Sequence, residues 1–462
     1  MVRLVSDEAI EQSLSELTAE GGDDPRKTRH IVTGRGILGQ VAGWLDEARS
    51  SRADLVVCDD NTKTAAADQL LAALRDAGRA AELLVLQPQE GEREVVCDDT
   101  IIETLRQTLA ERPDINAIAV GAGTINDTVK MATTKLGRPY ICVATAASMN
   151  GYTSAIAAVL SRGVKRTLPS QQAEAVFADI DVIRAAPAYL NQAGFGDLLS
   201  KPYSNADWLL SHYVRDVPYE ERPARLLDDA YESLLQQASA IGAAEAAGIG
   251  TLTRTILLSG FTMAIAGTSA PASGGEHLVS HYWDMEQHCR HQPLLGLHGT
   301  QVGIATRLSA MLFERLVALD LSELDVDATA RRFADPSWMD ELPTLHPRLT
   351  PEVVEEVREQ IRTKQLHGAA HRDELQRIKD GWPRIRSAIA DILKPASKMT
   401  SALNAAGAAD RPSAIGCERD RAVHTLRVCR HIRGRYVALD LIDDLGHLHD
   451  WAADAVDAAE AN

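Results

Sequence analysis

Aromatic residues are scarce in this chain. Phe, Trp and Tyr make up 4% of its residues while alanine is abundant, a balance expected of many close-packed helices. Cysteine is also rare. The six, at positions 58, 97, 142, 289, 417 and 429, form no CxxC pair, which argues against a disulfide framework or a zinc cluster and makes a reducing cytoplasm the expected setting. Basic residues are in deficit, 48 Lys and Arg against 65 Asp and Glu. The resulting net charge of −17 disfavours nucleic acid and anionic membrane as partners. An anionic substrate is compatible with it only where local positive charge or a metal gathers the anion. Long apolar runs are wanting too. The opening MVRLVSDEAIEQSLSEL carries acidic residues where a signal peptide needs an apolar core, and no later stretch reads as membrane-spanning.

What is present is the material of a soluble globular protein, 45% hydrophobic and 24% charged, long enough at 462 residues for two domains. After a leading helix and a polar loop, short β-branched runs at His30–Thr33, Leu55–Cys58, Leu83–Leu86, Ile115–Val120 and Tyr140–Val143 alternate with helical patterns at Leu38–Ala48, Lys63–Ala77 and Thr100–Ala110. Such alternation predicts parallel strands with helical crossovers, a doubly wound α/β sheet. An extended segment at Val176–Val182 closes this half. From about Pro187 the strand-like runs almost disappear. Helical stretches follow at Tyr203–Tyr213, Arg225–Glu245, Thr251–Ile265, Gly303–Leu319, Pro351–Lys364 and Asp373–Ile392, with loop-like segments at Ser322–Leu345 and Lys394–Pro412. The expected organisation is an α/β, Rossmann-like nucleotide-binding domain over 1–187 and an all-helical domain over 188–462.

Three loops invite phosphate. Gly34-Arg35-Gly36-Ile37-Leu38-Gly39 is a formal GxGxxG between a strand and a helix, with Asp59 about twenty residues beyond it as a dinucleotide fingerprint requires. Gly121-Ala122-Gly123-Thr124-Ile125-Asn126-Asp127 follows a very apolar strand. Its helix start would point amides at an anion, Thr124 could cap the helix, and Asp127 suits main-chain amides better than phosphate. Thr145–Ser154 brings small and hydroxylated residues to the end of another strand, where a ligand can approach the backbone. Each has a plain alternative, a tight turn, a capped helix without ligand or a polar loop.

The stretch Gly274–Thr300 holds five of the fourteen histidines. If its first part is helical, His277 and His281 share a face, and His298 lies beside Gly299, where the backbone can turn and re-aim an imidazole. Two imidazoles and a carboxylate from elsewhere would hold a divalent ion with a coordination position open. The alternative is an amphipathic helix with surface histidines.

Taken together, GAGTINDTVK at Gly121–Lys130, TAASMNGYTS at Thr145–Ser154, RGVKRT at Arg162–Thr167, FADIDVI at Phe177–Ile183, GFGDLLSK at Gly194–Lys201, GEHLVSHYWDM at Gly275–Met285, LHGTQVGIAT at Leu297–Thr306 and the ending RGRYVALDLIDDLGHL resemble the bacterial sn-glycerol-1-phosphate dehydrogenases. These belong to the superfamily of iron-dependent alcohol dehydrogenases, glycerol dehydrogenases and dehydroquinate synthases. The resemblance implies the dehydroquinate synthase-like fold and a metal-dependent interconversion of dihydroxyacetone phosphate and sn-glycerol 1-phosphate. It implies metal ligation by Asp197, His277 and His298, substrate contact by His281, and dinucleotide binding by Asp59, by Gly123, Thr124, Ile125, Asn126 and Asp127, and by Thr145, Ala146, Ala147, Ser148 and Ser154. NAD is the expected cofactor, because a carboxylate at Asp59 repels a 2′-phosphate, although some relatives accept NADP as well. The metal is one divalent ion, zinc, nickel or iron.

One departure stands out. Bacterial members carry aspartate where this chain has Asn150, a substrate-facing position, and asparagine cannot take up a proton. This keeps open a different polyol or polyol phosphate as substrate. Lys165, Arg166 and Lys201 are candidate partners for a substrate phosphate. A cyclase of the dehydroquinate synthase kind lacks its lysine-rich signature here, and a non-catalytic NAD-binding protein would be expected to have lost metal ligands. Membrane and nucleic acid are not expected partners; a homo-oligomer is.

Overall fold

The computed structural model describes residues 7–89, 92, 94–161, 164–332 and 335–461. The chain divides into two compact units that interleave along the sequence. The first comprises 1–198, 222–269 and 405–407, and the second 199–221, 270–404 and 408–462. This differs from the single cut expected at 187/188, because a helical segment of the second half belongs with the sheet.

The first unit is built on six parallel strands, β1 (His30–Gly34), β2 (Ala53–Cys58), β3 (Ala80–Val85), β4 (Asn116–Gly121), β5 (Tyr140–Ala144) and β8 (Ala175–Asp179), in the order β1-β8-β5-β4-β2-β3. Strands β4, β5 and β8 are buried along their whole length, as central parallel strands covered on both faces must be. Edge strand β1 is half-buried. On one face, Ile118, Val120, Ile141, Val143 and Phe177 pack with Val41 and Leu45 of the helix Gln40–Ala48 and with Leu70 and Leu74 of Asp68–Asp76. The order reverses at β2, whose neighbours are β3 and β4. Such a switch point opens a crevice at the carboxyl ends of the strands.

Five of the strands expected from sequence are present within a few residues. The extended segment at Val176–Val182 is shorter than expected, because Asp179 caps a helix beginning at Ile180, its carboxylate accepting from the Asp181 amide at 3.0 Å. A hairpin was not anticipated: β6 (Ile156–Ser161) pairs antiparallel with β7 (Val164–Pro169).

The helix Ala246–Ala266 also belongs to the first unit. It is the one helix among the described residues long and apolar enough to cross a membrane, contrary to the expectation of none. Its most apolar window is 78% buried inside the protein, the position of a core helix. The helical stretch expected over Arg225–Glu245 breaks at Gln237 into Glu221–Gln236 and Ala238–Gly242.

Five helices matter for the site: α1 (Gly123–Leu136), α2 (Ala188–Leu199), α3 (Lys201–Arg215), α4 (Gly275–Cys289) and α5 (His298–Ala318). Every regular element among the described residues of the second unit is a helix. The segments read as loops contain short helices, Val326–Arg331 and Leu342–Leu345 in one and Ala396–Ala405 in the other.

Candidate functional site

Three of the predicted cofactor segments lie at the carboxyl ends of adjacent strands around the switch point. Asp59 follows β2, the Gly121 loop follows β4, and Thr145 follows β5. At Gly121 a side chain is excluded, since a Cβ would come within 2.5 Å of the Ile125 Cβ. The chain can thus fold straight from strand into helix. Ala122 is the N-cap of α1 and offers no side-chain cap, so Thr124 is a helical residue and not the cap expected. Thr124 is exposed and Gly123 half-buried at the helix start, whereas Ile125, Asn126 and Asp127 turn inward. The Asp127 carboxylate accepts from the Ala158 amide at 2.9 Å, which matches its suitability for main-chain amides, and Asn126 accepts from the Tyr140 hydroxyl at 3.1 Å.

The Thr145–Ser154 loop is held on both sides. The Ala147 amide donates to Asn191 Oδ1 of α2 at 3.0 Å, and the Tyr152 hydroxyl returns to the Ala146 carbonyl at 2.6 Å. Gly194 of α2 and Gly260 of Ala246–Ala266 are the points of closest approach. A Cβ on Gly194 would fall 1.7 Å from the Ala147 oxygen, and one on Gly260 2.1 Å from Thr153 Oγ1. From below, the buried Lys130 ammonium donates to the Gly151 and Ile156 carbonyls at 2.6 and 3.0 Å. Ser154 is buried and spends its hydroxyl on the same two carbonyls, so of this loop's hydroxyls only Ser148 stands partly in solvent. Asn150 donates from Nδ2 to Ser259 Oγ at 3.3 Å.

Asp59 caps the short helix after β2. Its Oδ1 accepts from the amide and the hydroxyl of Thr62, both at 2.7 Å, and its Oδ2 accepts no hydrogen bond among the described residues. The GxGxxG loop is already filled. Asp179, at the end of β8, aims its carboxylate into the turn and accepts from the amides of Gly36 at 3.1 Å and Ile37 at 2.7 Å. An internal carboxylate therefore occupies the place a phosphate would take.

The histidine stretch forms a helix as expected. In α4, His277 and His281 sit one turn apart with ring centroids 6.3 Å from each other. The turn that re-aims His298 comes before it: Leu297 is the extended N-cap of α5, and Gly299 is an ordinary helical residue. The His298 ring lies 5.2 Å from that of His277 and 5.4 Å from that of His281. Asp197 is buried on the last turn of α2. One ligand atom from each of Asp197, His277 and His298 lies within 4.8 Å of the others.

The partners behind these imidazoles decide their tautomers. The buried carboxylate of Glu276 accepts from His277 Nδ1 at 2.8 Å and from the Gly274 amide at the same distance. Ser280 donates to Gln301 Oε1 at 2.7 Å and so accepts from His298 Nδ1 at 2.9 Å; Gln301 in turn donates to Asp284 at 3.0 Å. His277 and His298 thus carry their proton on Nδ1, which makes Nε2 the unprotonated nitrogen of each ring, as in the arrangement that backs metal-binding imidazoles. One carboxylate and two such nitrogens suit a borderline divalent ion.

The cationic candidates fare unevenly. The Lys165 side chain lies outside the described residues. Arg166 is half-buried on β7. Lys201 is buried, its ammonium donating to the Ala272 carbonyl and the Ser200 hydroxyl at 3.2 Å each. His288 is half-buried, and His291 is exposed.

Residues 32–187 match the iron-containing alcohol dehydrogenase family. Over 312 residues, covering 67% of this chain and 78% of the other, the sequence is 36% identical to the NAD(P)+ glycerol-1-phosphate dehydrogenase of Bacillus velezensis. The chain belongs to the glycerol-1-phosphate dehydrogenase family. The similarity extends to the archaeal glycerol-1-phosphate dehydrogenase of Pyrococcus horikoshii, 31% identical over 284 residues that cover 62% of this chain and 78% of that one. Among solved structures, glycerol dehydrogenase from Schizosaccharomyces pombe superposes with a TM-score of 0.58 at 14% identity over 94% of this chain and 92% of its own. A probable glycerol dehydrogenase from Sinorhizobium meliloti gives 0.56 at 16% identity over 92% and 98%. At such identities the likeness establishes the fold, the expected dehydroquinate synthase-like one.

Several residues of this glycerol-1-phosphate dehydrogenase family member escaped the sequence reading. Glu276 and Ser280 sit inside the GEHLVSH motif, and a carboxylate directly before a candidate ligand histidine was the available signal. Gly194 and Gly260 carried none, because their importance depends on a loop far away in sequence. Arg433, whose Nη2 lies 3.0 Å from His281 Nδ1, was visible only as part of an arginine-glycine-arginine run.

Proposed function

We propose that this protein interconverts dihydroxyacetone phosphate and sn-glycerol 1-phosphate with a nicotinamide dinucleotide and one divalent metal ion. The observation that carries the reading is the convergence of Asp197, His277 and His298 in a chain that is 36% identical to a glycerol-1-phosphate dehydrogenase. When bound, the metal supplies a Lewis acid and the dinucleotide supplies the redox chemistry. The protein's own contribution is placement. Glu276 and Ser280 fix the ligand imidazoles, the glycine clamps hold the small-residue loop close to α2, and the amides at the start of α1 are available to a diphosphate. The Asp59 carboxylate supports NAD over NADP, and His281 is the group we assign to hydrogen-bond the substrate.

Zinc, nickel and iron all suit the ligand set. The expected setting is the cytoplasm, which the six free cysteines support, and the expected assembly is a homo-oligomer, which sedimentation would test.

The test is direct. Purified protein should contain about one divalent ion per chain, oxidise NADH with dihydroxyacetone phosphate, lose this activity to a chelator and regain it with added metal. Full activity without metal would overturn the mechanism. A second reading, another polyol or polyol phosphate as substrate, is favoured by Asn150, whose amide is turned toward Ser259. Asn150→Asp decides between them: a large gain on dihydroxyacetone phosphate would mean that the native substrate differs.

A further inference from the structure

The three clustered imidazoles are set in opposite senses. His277 and His298 give their Nδ1 protons to Glu276 and Ser280. His281 Nδ1 instead faces Arg433 Nη2 at 3.0 Å. A guanidinium has only donors, so His281 Nδ1 must offer its lone pair there, and the neutral ring carries its proton on Nε2.

We propose that Arg433 is a positioning residue that holds His281 as an Nε2–H donor, keeping it out of the metal's ligand set and ready to hydrogen-bond the oxygen of the substrate. This rests on the dehydrogenase reading for what the donor serves, but not for the tautomer itself. Ring proximity alone would allow His281 to compete as a third imidazole ligand, since its centroid is 5.4 Å from His298. A proton on Nε2 leaves that nitrogen without a lone pair, and Nδ1 is engaged by a cation.

The local backbone is arranged to deliver Arg433. The residue is extended, with φ −144° and ψ 146°, between the short turn Cys429–Ile432 and the helix Ala438–Asp444. Next to it, Gly434 lies so close to the helix Pro351–Lys364 that a Cβ would come within 2.1 Å of Thr363 Oγ1, and its amide donates to Gln360 Oε1 at 3.1 Å. Arg435, on the far side of Gly434, is tied to the Ser273 carbonyl just ahead of α4. The segment is thereby pinned on both sides of the glycine, and the arginine meets His281 from a fixed base. Burial and the neighbouring Arg435 bring the Arg433 guanidinium down to about 10, still cationic at neutral pH.

The experiment measures the tautomer and its coupling. Imidazole 15N resonances of His281 in metal-free protein, assigned with His281→Ala, should report protonated Nε2 in the native chain. In Arg433→Gln they should shift toward the other tautomer, and Arg433→Lys, which keeps a cationic donor, should restore the native pattern at least in part. In the metal-loaded enzyme, Arg433→Gln should lower kcat by about 10- to 100-fold with little change in KM for NADH, the range that outer hydrogen bonds to a functional imidazole command. The same substitution should cost almost nothing further in a His281→Ala background. An unchanged His281 tautomer in a folded Arg433→Gln protein, or losses that multiply in the double variant, would overturn the proposal. If the native enzyme does not turn over dihydroxyacetone phosphate, the functional reading fails while the resonance measurement still decides the role of Arg433.

Discussion

Gly194→Ala should be among the most damaging single-methyl additions in the first unit. The new carbon would stand 1.7 Å from the Ala147 carbonyl oxygen, 2.7 Å from its carbon and 2.9 Å from Ile256 Cδ1. The loop cannot simply withdraw, because the Ala147 amide is bonded to Asn191 on the same helix and the Tyr152 hydroxyl holds the Ala146 carbonyl. Overpacking of an ordinary core side chain costs about 1–3 kcal/mol, and a collision with an anchored backbone carbonyl should reach the upper end, about 3 kcal/mol. The matched control is Gly43→Ala. That glycine is exposed within the helix Gln40–Ala48 and a Cβ there meets nothing within 4 Å, so the change should stabilise by about 0.5–1 kcal/mol. Both substitutions alter the unfolded chain equally, and the difference between their urea denaturation free energies isolates the native contact. Asp197 lies three residues beyond Gly194 on the same helix, so metal affinity, read by competition with a chromogenic chelator, should fall more than about tenfold in Gly194→Ala. Two variants within about 0.5 kcal/mol of each other would refute the clamp.

Removing the Ser280 hydroxyl with Ser280→Ala frees the His298 tautomer and should weaken metal binding by about 10- to 100-fold in the same competition assay. Asp59→Asn retains a capping oxygen for Thr62 but loses the charge; the preference for NADH over NADPH, measured as a ratio of kcat/KM, should shrink by about tenfold or more with little change in stability. Asp179→Ala leaves the amides of Gly36 and Ile37 without their acceptor and should cost about 2–3 kcal/mol in urea denaturation while changing NADH affinity less than about twofold. The buried His346, bonded to Tyr282 and His431, has its proton affinity pushed down to about 3 by burial, from an ordinary 6.5. Its native form is neutral while the unfolded chain takes up a proton below about pH 6.5. Stability should therefore drop by about 1.4 kcal/mol per pH unit as pH falls from 6.5 toward 3, and His346→Gln should remove that part of the slope.

Much of the sheet could be read from the chain, because buried parallel strands leave apolar runs such as Ile115–Val120 that no loop tolerates. The hairpin β6–β7 escaped notice, since its strands carry no alternation strong enough to separate them from the preceding loop. The candidate metal triad was accessible only through several coincident motifs. The spacing of His277 and His281 states which histidines share a helix face, yet it says nothing of a carboxylate eighty residues earlier. Nor could spacing tell a candidate ligand from its neighbour. His281 has the better position on the helix for pairing with His277, and it is Arg433, brought in from the far end of the sequence, that sets it apart. The interleaved units were hidden for a similar reason, because Ala246–Ala266 is simply an apolar helix until the sheet-bearing unit is seen packed around it.

The carboxylate of Asp179 gives the first glycine turn a permanent guest. A loop that closes only around its ligand must draw on the ligand's binding energy to do so. Here the turn after β1 is closed by a carboxylate from β8, so its closure needs no ligand. Amide exchange at Gly36 and Ile37 should be equally slow with and without dinucleotide, while the amides opening α1 change with it. The same sheet would then present one turn that responds to nucleotide concentration and one that is deaf to it.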